Sequence, residues 1–318
     1  MKAPPLLVSF SSLENLLIAL PQVAREAVRS EVTELLRRNL PPAANFQVLS
    51  TLFGVRPSFI FHLARKPEKN YRAFKIKTGK KSRQIHSPRV GLKLIQKWYA
   101  EHISAAKSFP PQVHGFIPGK NGVIESAKTH CNSKWVLSID LRDFFGQVTR
   151  ERLLPQLAEI GFSEKASELI LSLCLFKNKL PQGSPASPVL SNIAFEPTDK
   201  LIIEAIIERS IRYTRYADDL VFSGTTDEPP EGLLEEIIRI LHTNGWVIAD
   251  EKTKLAKLPH RLKVHGLLVH NDTPRLTKGY RNRIRAYEHL LTSGKIRGDD
   301  LAKVKGHLAY AQLVAQPQ

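Results

Sequence analysis

Apolar positions change their period several times along the chain, and each change predicts an element. Ser11-Ser12-Leu13-Glu14 has the form of a capping box ahead of Leu16, Leu17, Ile18 and Leu20. Pro21 opens a second helical stretch that runs to Leu40, where Pro41-Pro42 stops it, and Phe46 to Leu63 reads as two short helices broken between Gly54 and Pro57. From Tyr71 the period falls to two. Tyr71, Phe74, Ile76 and Ile85 alternate with Arg72, Lys75, Lys77, Arg83 and Gln84 around Thr78-Gly79-Lys80-Lys81-Ser82, which predicts a basic β-hairpin. Helical spacing returns over 92–106 and 123–130, and over 150–177 with a turn at Gly161. Residues 188–207 are apolar almost all round and predict a long buried helix. Trp135-Val136-Leu137-Ser138-Ile139, Ile211 to Tyr216, and Leu220-Val221-Phe222-Ser223 read as strands.

Acids stand where these strands end. Asp140 closes the first run, and Asp218-Asp219 falls at the tight turn between the other two, in Tyr216-Ala217-Asp218-Asp219. Adjacent carboxylates repel and raise each other's pKa, so such a doublet calls for a hard cation between its members. A solvated Asp-Asp turn is the plain alternative. The third acid argues against it, because one Asp at a strand end and two at a hairpin turn are the ligand set for two Mg²⁺ ions that clamp the attacking and leaving oxygens of a phosphoryl transfer.

With these acids so placed, the chain resembles a reverse transcriptase. Ile139-Asp140-Leu141-Arg142-Asp143-Phe144-Phe145 matches the first palm motif, Leu180-Pro181-Gln182-Gly183-Ser184-Pro185-Ala186-Ser187-Pro188 the next, and Tyr216-Ala217-Asp218-Asp219 completes the set. The resemblance covers roughly residues 45 to 315. It implies an α+β right-hand polymerase fold: an N-terminal helical region (1–63), fingers (64–135), a palm of antiparallel sheet backed by helices (136–270, with a helical fingers insertion at 150–180) and a helical thumb (271–318).

Charge then bears on the partner. The formal net charge is +17, and it is concentrated: residues 65–107 hold 13 Lys or Arg against 2 acids, residues 252–318 hold 14 against 4, and the remainder is net acidic. Two basic blocks flanking an acidic centre suit a polyanion gripped on both sides of a metal site. A membrane surface would call for one basic amphipathic helix instead. Cys131 and Cys174 lie far apart in no metal-ligand spacing, no run approaches a membrane span, and Met1 to Leu6 carries no leader pattern, so a cytoplasmic protein without zinc or disulfides is expected. Gly115 to Gly122 is glycine-rich but too irregular for a Walker-type phosphate loop.

The resemblance assigns roles to further residues. Lys75 and Arg83 on the hairpin would meet the triphosphate of an incoming deoxynucleotide. Asp143 and Phe144 would bind it through backbone N–H groups, and Gln182-Gly183 would cover it, Gly allowing close approach and Gln donating a side-chain hydrogen bond. Phe145, five positions past Asp140, would lie beneath the sugar and exclude a ribose 2′-OH. Ala217 would keep the sheet surface low beside a primer end. Lys252 would protonate or steady the leaving pyrophosphate. Lys278, Arg281, Arg283, Arg285, Lys295 and Arg297 would form a thumb surface against RNA and DNA, by shape and phosphate contacts.

Within the family the chain is most similar to bacterial retron enzymes. Its compact length fits, as do two segments, each with one departure: Ser126-Ala127-Lys128-Thr129-His130 has Ser126 where the retron pattern Asn-Ala-x-x-His has Asn, and Val264-His265-Gly266 has His265 where Val-Thr-Gly has Thr. The retron resemblance implies a cognate structured non-coding RNA copied from an internal guanosine 2′-OH into branched RNA–DNA, and antiphage defence with a separate effector. A group II intron enzyme would be longer, and a diversity-generating one would have a nucleotide loop ending in Ser-Gln. A non-catalytic RNA-binding protein on a polymerase fold would need only the basic blocks, and the intact acids argue against it.

Overall fold

A computed structural model describes residues 10–78, 81–119, 122–296 and 298–316. These form two compact units interleaved in sequence, Met1–Pro110 with Asp143–Lys200 and Pro111–Arg142 with Leu201–Gln318. This is a division by packing, unlike the four consecutive segments expected from the sequence. The class is α+β. Among the described residues no helix is long and apolar enough to cross a membrane.

The first unit opens with helices whose starts are chemically marked. Ser12 caps Leu13–Ile18 by accepting from Asn15 N, and Asn45 caps Phe46–Phe53 by accepting from Val48 N. Strands β1 (Tyr71–Thr78) and β2 (Lys81–Pro88) make the expected antiparallel hairpin. The helix Val90–Ala106 buries Trp98, edge-on to Phe53 at 5.5 Å between ring centroids. On the same helix Gln96, fully buried, donates to Tyr71 Oη and Leu173 O, each at 2.7 Å, and accepts from Ser184 Oγ at 2.7 Å. One amide thus ties the hairpin, the helix Glu164–Cys174 and the loop after Pro181 together. A buried amide left without these partners would cost about 1–3 kcal/mol, which makes the node specific as well as cohesive.

The second unit is built on a four-stranded antiparallel sheet of order β4-β5-β3-β6, where β3 is Trp135–Asp140, β4 Arg212–Tyr216, β5 Asp219–Gly224 and β6 Lys254–Lys257. Its apolar cluster joins Val136 and Val221 of the sheet to Ile124 and Ala127 of the helix Gly122–Thr129. Leu262, Val264 and Leu267 complete it from a small sheet of β7 (Lys263–Val264), β8 (Leu267–Leu268) and β9 (Arg275–Leu276) and the chain leading into it. Helices Lys278–Thr292 and Gly298–Ala315 pack through Tyr280, whose hydroxyl lies 2.7 Å from His307 Nδ1.

Candidate active site

β3 and β5 pair in a register that sets Asp140 opposite Asp219, and β4 pairs Tyr216 with Asp219, leaving Ala217 and Asp218 as a two-residue turn. Ala217 has φ 57, a backbone disfavoured for any residue with a Cβ. The turn is held from two sides: Leu141 N donates to Asp218 O at 2.9 Å, and fully buried Arg215 donates to Ala217 O at 3.3 Å. Segment 112–115 runs along β4, with Arg215 N donating to Gln112 O and His114 N to Arg215 O, both at 2.9 Å. Here Gly115 is required by close approach, since a Cβ would stand 2.3 Å from Ala217 N.

The three acids are therefore gathered at one end of the sheet, together with Lys252. Lys252, on a short 3-10 turn (Asp250–Lys252), contacts Asp140 Oδ1 through Nζ, and His265 Nδ1 lies 3.1 Å from Asp219 Oδ2. Burial pushes the Asp218 carboxyl above its ordinary range, and the charges of Asp140 and Asp219 push it further, against a backbone hydrogen bond and Lys252. Among the described residues no three His, Cys, Asp or Glu side chains stand as a ready-made ligand group. Lys252 and His265 already engage two of the acids. The donor set nevertheless fits a divalent cation: three carboxylates with a surplus of negative charge, the condition that a hard metal relieves.

The nucleotide residues expected from the sequence lie in the first unit. Asp143, at φ 45, precedes the short helix Phe144–Gln147, and its carboxylate folds over Gly146, where a Cβ would stand 2.0 Å from Oδ2. Phe144 is buried against Phe195, while Phe145 is half-buried. Gln182 O accepts from His86 N at 2.8 Å, and Gly183, at φ 117, sits where a Cβ would meet Ile85 Cγ2 at 2.8 Å. The loop thus packs on β2. The register pairs Lys75 with Gln84 and Ile76 with Arg83, so the two hairpin cations, both exposed, face opposite sides. Arg83 shares its face with Ile85.

Lys278, Arg281, Arg283, Arg285 and Lys295 are exposed, and Arg297 lies outside the described residues. Spacing puts Lys278, Arg281 and Arg285 on one stripe of their helix. Arg283 lies away from it, with its guanidinium 6.0 Å from the Tyr280 ring centroid. Sequence reasoning connected neither Ser126 nor His265 with the acids. Their only signal was departure from the retron pattern, and their contact with each other spans 139 positions.

A family profile described as "Reverse transcriptase (RNA-dependent DNA polymerase)" matches residues 75–272, a span that includes the three acids, the hairpin cations and Lys252. The Retron Ec86 reverse transcriptase of Escherichia coli is 29% identical over 231 residues, covering 73% of this chain and 71% of that protein. The Retron Mx162 reverse transcriptase of Myxococcus xanthus is 29% identical over 291 residues, covering 80% of this chain and 60% of that protein. Among solved structures, a telomerase from Candida albicans in complex with a fragment of telomeric RNA matches 69% of this chain and 50% of its own at 10% identity, with a TM-score of 0.46. The family depends on divalent metal. On the extent of the profile match, the chain belongs to the reverse transcriptase family of RNA-dependent DNA polymerases, and it is similar to the retron enzymes within it.

Proposed function

We propose that this protein is the RNA-directed DNA polymerase of a retron, with Asp140, Asp218 and Asp219 holding two Mg²⁺ ions. The observation that carries the reading is the register pairing of Asp140 with Asp219 beside the Asp218 turn, at a sheet end that also holds Lys252. Bound there, the metal ions would activate the attacking hydroxyl and neutralise charge on the transferred phosphate. The chain's own residues do the rest. Lys252 is placed to balance Asp140 and to stand beside a departing pyrophosphate, and Arg83 with the Gln182-Gly183 loop forms a cationic, close-approach surface suited to a deoxynucleoside triphosphate. Lys75, on the other hairpin face, serves the same polyanion less directly. The main chain of Asp143 and Phe144 contributes donors to the triphosphate, and the half-buried Phe145 excludes a ribose 2′-OH. Residues 64–135 act as fingers, 136–270 as palm and 271–318 as thumb.

The stripe of Lys278, Arg281 and Arg285, with the exposed Lys295 beyond its helix, favours a structured RNA and its DNA product as partners, since phosphate contacts position a folded nucleic acid. Similarity to retron enzymes supports priming from an internal guanosine 2′-OH, a branched RNA–DNA product, and a cytoplasmic role in antiphage defence with a separate effector. The test is an Asp218→Ala/Asp219→Ala variant assayed on the RNA that copurifies with the wild type. Mg²⁺-dependent DNA synthesis should vanish while RNA binding persists. A double variant that still extends a primer ends the polymerase reading, and wild-type protein purified without any branched product ends the retron one.

A further inference from the structure

Hydrogen bonds run in series through the second unit to Asp219. Arg212 Nη1 donates to Ser133 Oγ at 3.5 Å, and Ser133 Oγ donates to Ser223 Oγ at 2.9 Å. His130 Nδ1 is 2.7 Å from Ser223 Oγ, and its Nε2 is 2.8 Å from Thr214 Oγ1. Thr214 Oγ1 is 2.7 Å from Ser126 Oγ, Ser126 Oγ is 2.9 Å from His265 Nε2, and His265 Nδ1 is 3.1 Å from Asp219 Oδ2. Ser126, His130, Ser133, Thr214 and Ser223 are all buried.

The direction of the series follows from its last member. An ionised carboxylate only accepts, so His265 Nδ1 donates to Asp219, and with a single proton on that ring Nε2 accepts from Ser126. Ser126 has one proton, so Thr214 must donate to Ser126 and His130 Nε2 to Thr214. His130 Nδ1 then accepts from Ser223, whose oxygen accepts from Ser133. Every hydroxyl donates once, and every donor points toward Asp219. Burial holds the His130 pKa down to about 3, which leaves this ring with the one donor and one acceptor the series needs. Such chains strengthen cooperatively and fix orientation.

The final link is presented by a tight turn. β7 and β8 pair Val264 with Leu267, leaving His265 and Gly266 at φ 48 and 84, both positive as a type I′ hairpin turn requires. Histidine is disfavoured at positive φ. Contacts with Ser126, Asp219 and the Tyr216 ring, 5.3 Å between centroids, offset it. Positions 126 and 265 are also the two at which the chain departs from the retron pattern, with a smaller side chain at 126 and a larger one at 265. The two departures touch.

We propose that Ser126 and His265 are a coupled positioning pair that orients the Asp219 carboxylate, the bulk and hydrogen-bond reach of the retron pattern's residue 126 having moved to residue 265. This rests on Asp219 being a metal-holding carboxylate. The test compares Ser126→Asn, His265→Thr and the double variant in kcat, nucleotide KM and, without nucleic acid, the rise in melting temperature on adding Mn²⁺. Each single variant should lose roughly tenfold or more in kcat, with KM within about twofold, and should respond less to Mn²⁺. The double variant should recover to within about threefold of wild type, a non-additivity that separate roles do not produce. Ser126→Ala, which removes the hydroxyl without adding volume, should lower kcat in the same way even if Ser126→Asn fails to fold. A folded His265→Thr with wild-type kcat and Mn²⁺ response overturns the proposal, as does a double variant whose loss is the product of the single losses. An Asp219→Asn control that keeps synthesising DNA would instead overturn the metal-site reading beneath it.

Discussion

His130 gives the protein a defined weakness to acid. The ring is fully buried between Ser223 Oγ and Thr214 Oγ1, and burial, reinforced by its neighbours His265, Arg212 and His114, pushes its pKa from 6.5 down to about 3. The unfolded chain binds this proton near pH 6.5 and the folded chain only near pH 3, so the stability His130 contributes is complete above 6.5 and is lost as pH falls toward 3. Each pH unit in that window takes about 1.4 kcal/mol, so at pH 5 the loss is about 2 kcal/mol, a large share of a typical domain's stability. Urea unfolding at pH 7.5 and pH 5.0, followed by the fluorescence of buried Trp135 and Trp246, reads this directly when wild type is compared with His130→Asn. At pH 7.5 the variant should be less stable by about 1–3 kcal/mol, because Thr214 or Ser223 loses a partner. At pH 5.0 it escapes the cost of keeping a proton off the ring. The gap between the two proteins should therefore narrow by about 2 kcal/mol. An unchanged gap would refute the reasoning, since the other histidines are common to both.

Three further outcomes follow from the site. The Asp218 pKa is raised, so the stability this group contributes is present below the ordinary carboxylate range and lost as pH rises through the raised value. Asp218→Asn should accordingly raise the melting temperature of the metal-free protein at pH 7.5 while lowering DNA synthesis at least about a hundredfold, and no rise in melting temperature would contradict the charge surplus. Gly115→Ala places a Cβ 2.3 Å from Ala217 N. It should cost about 1–3 kcal/mol in unfolding free energy and displace the Asp218 turn, seen as a loss of kcat out of proportion to the loss of folded protein. Phe145→Ala should narrow the preference for deoxynucleotides over ribonucleotides by about tenfold to a hundredfold in kcat/KM, and an unchanged ratio in folded protein would remove Phe145 from the sugar contact. For the thumb, Arg281→Glu with Arg285→Glu should weaken RNA binding and flatten its salt dependence, whereas Arg283→Glu, off the stripe, should change both little in a filter-binding titration.

The acids were legible because they end, or stand in the turn between, short runs of apolar, aromatic and β-branched residues, and the hairpin β1–β2 was legible from its period of two. The helix start at Ser12 carried its own chemistry, whereas the cap at Asn45 was read only from the structure. β6 was not legible, since Lys254-Leu255-Ala256-Lys257 has no strand signature and becomes a strand by pairing Ala256 with Val136 and Leu255 with Leu137. Nor were β7, β8 and β9, each two residues long and too short for any period to register. The Gln96 node and the Ser126–His265 contact join positions 25 to 139 apart, and nothing local in the sequence marks them.

What turns legible acids into a site is register, and register is decided at the other end of the sheet. A slip of one residue between β3 and β5 would send Asp140 and Asp219 to opposite faces. Trp135, fully buried, lies opposite Gly224 at the far end of the same pairing, and its indole fills the space a side chain would take: a Cβ on Gly224 would stand 2.6 Å from Trp135 Cζ2. In the slipped pairing Trp135 would meet Ser223 or Thr225 instead, each with a Cβ, while Ser223 would leave the network of His130 and Ser133. Overpacking of that kind costs about 1–3 kcal/mol, and unpaired buried hydroxyls add to it. The opposition of Asp140 and Asp219 is thus specified five residues away by a tryptophan and a glycine that take no part in the chemistry.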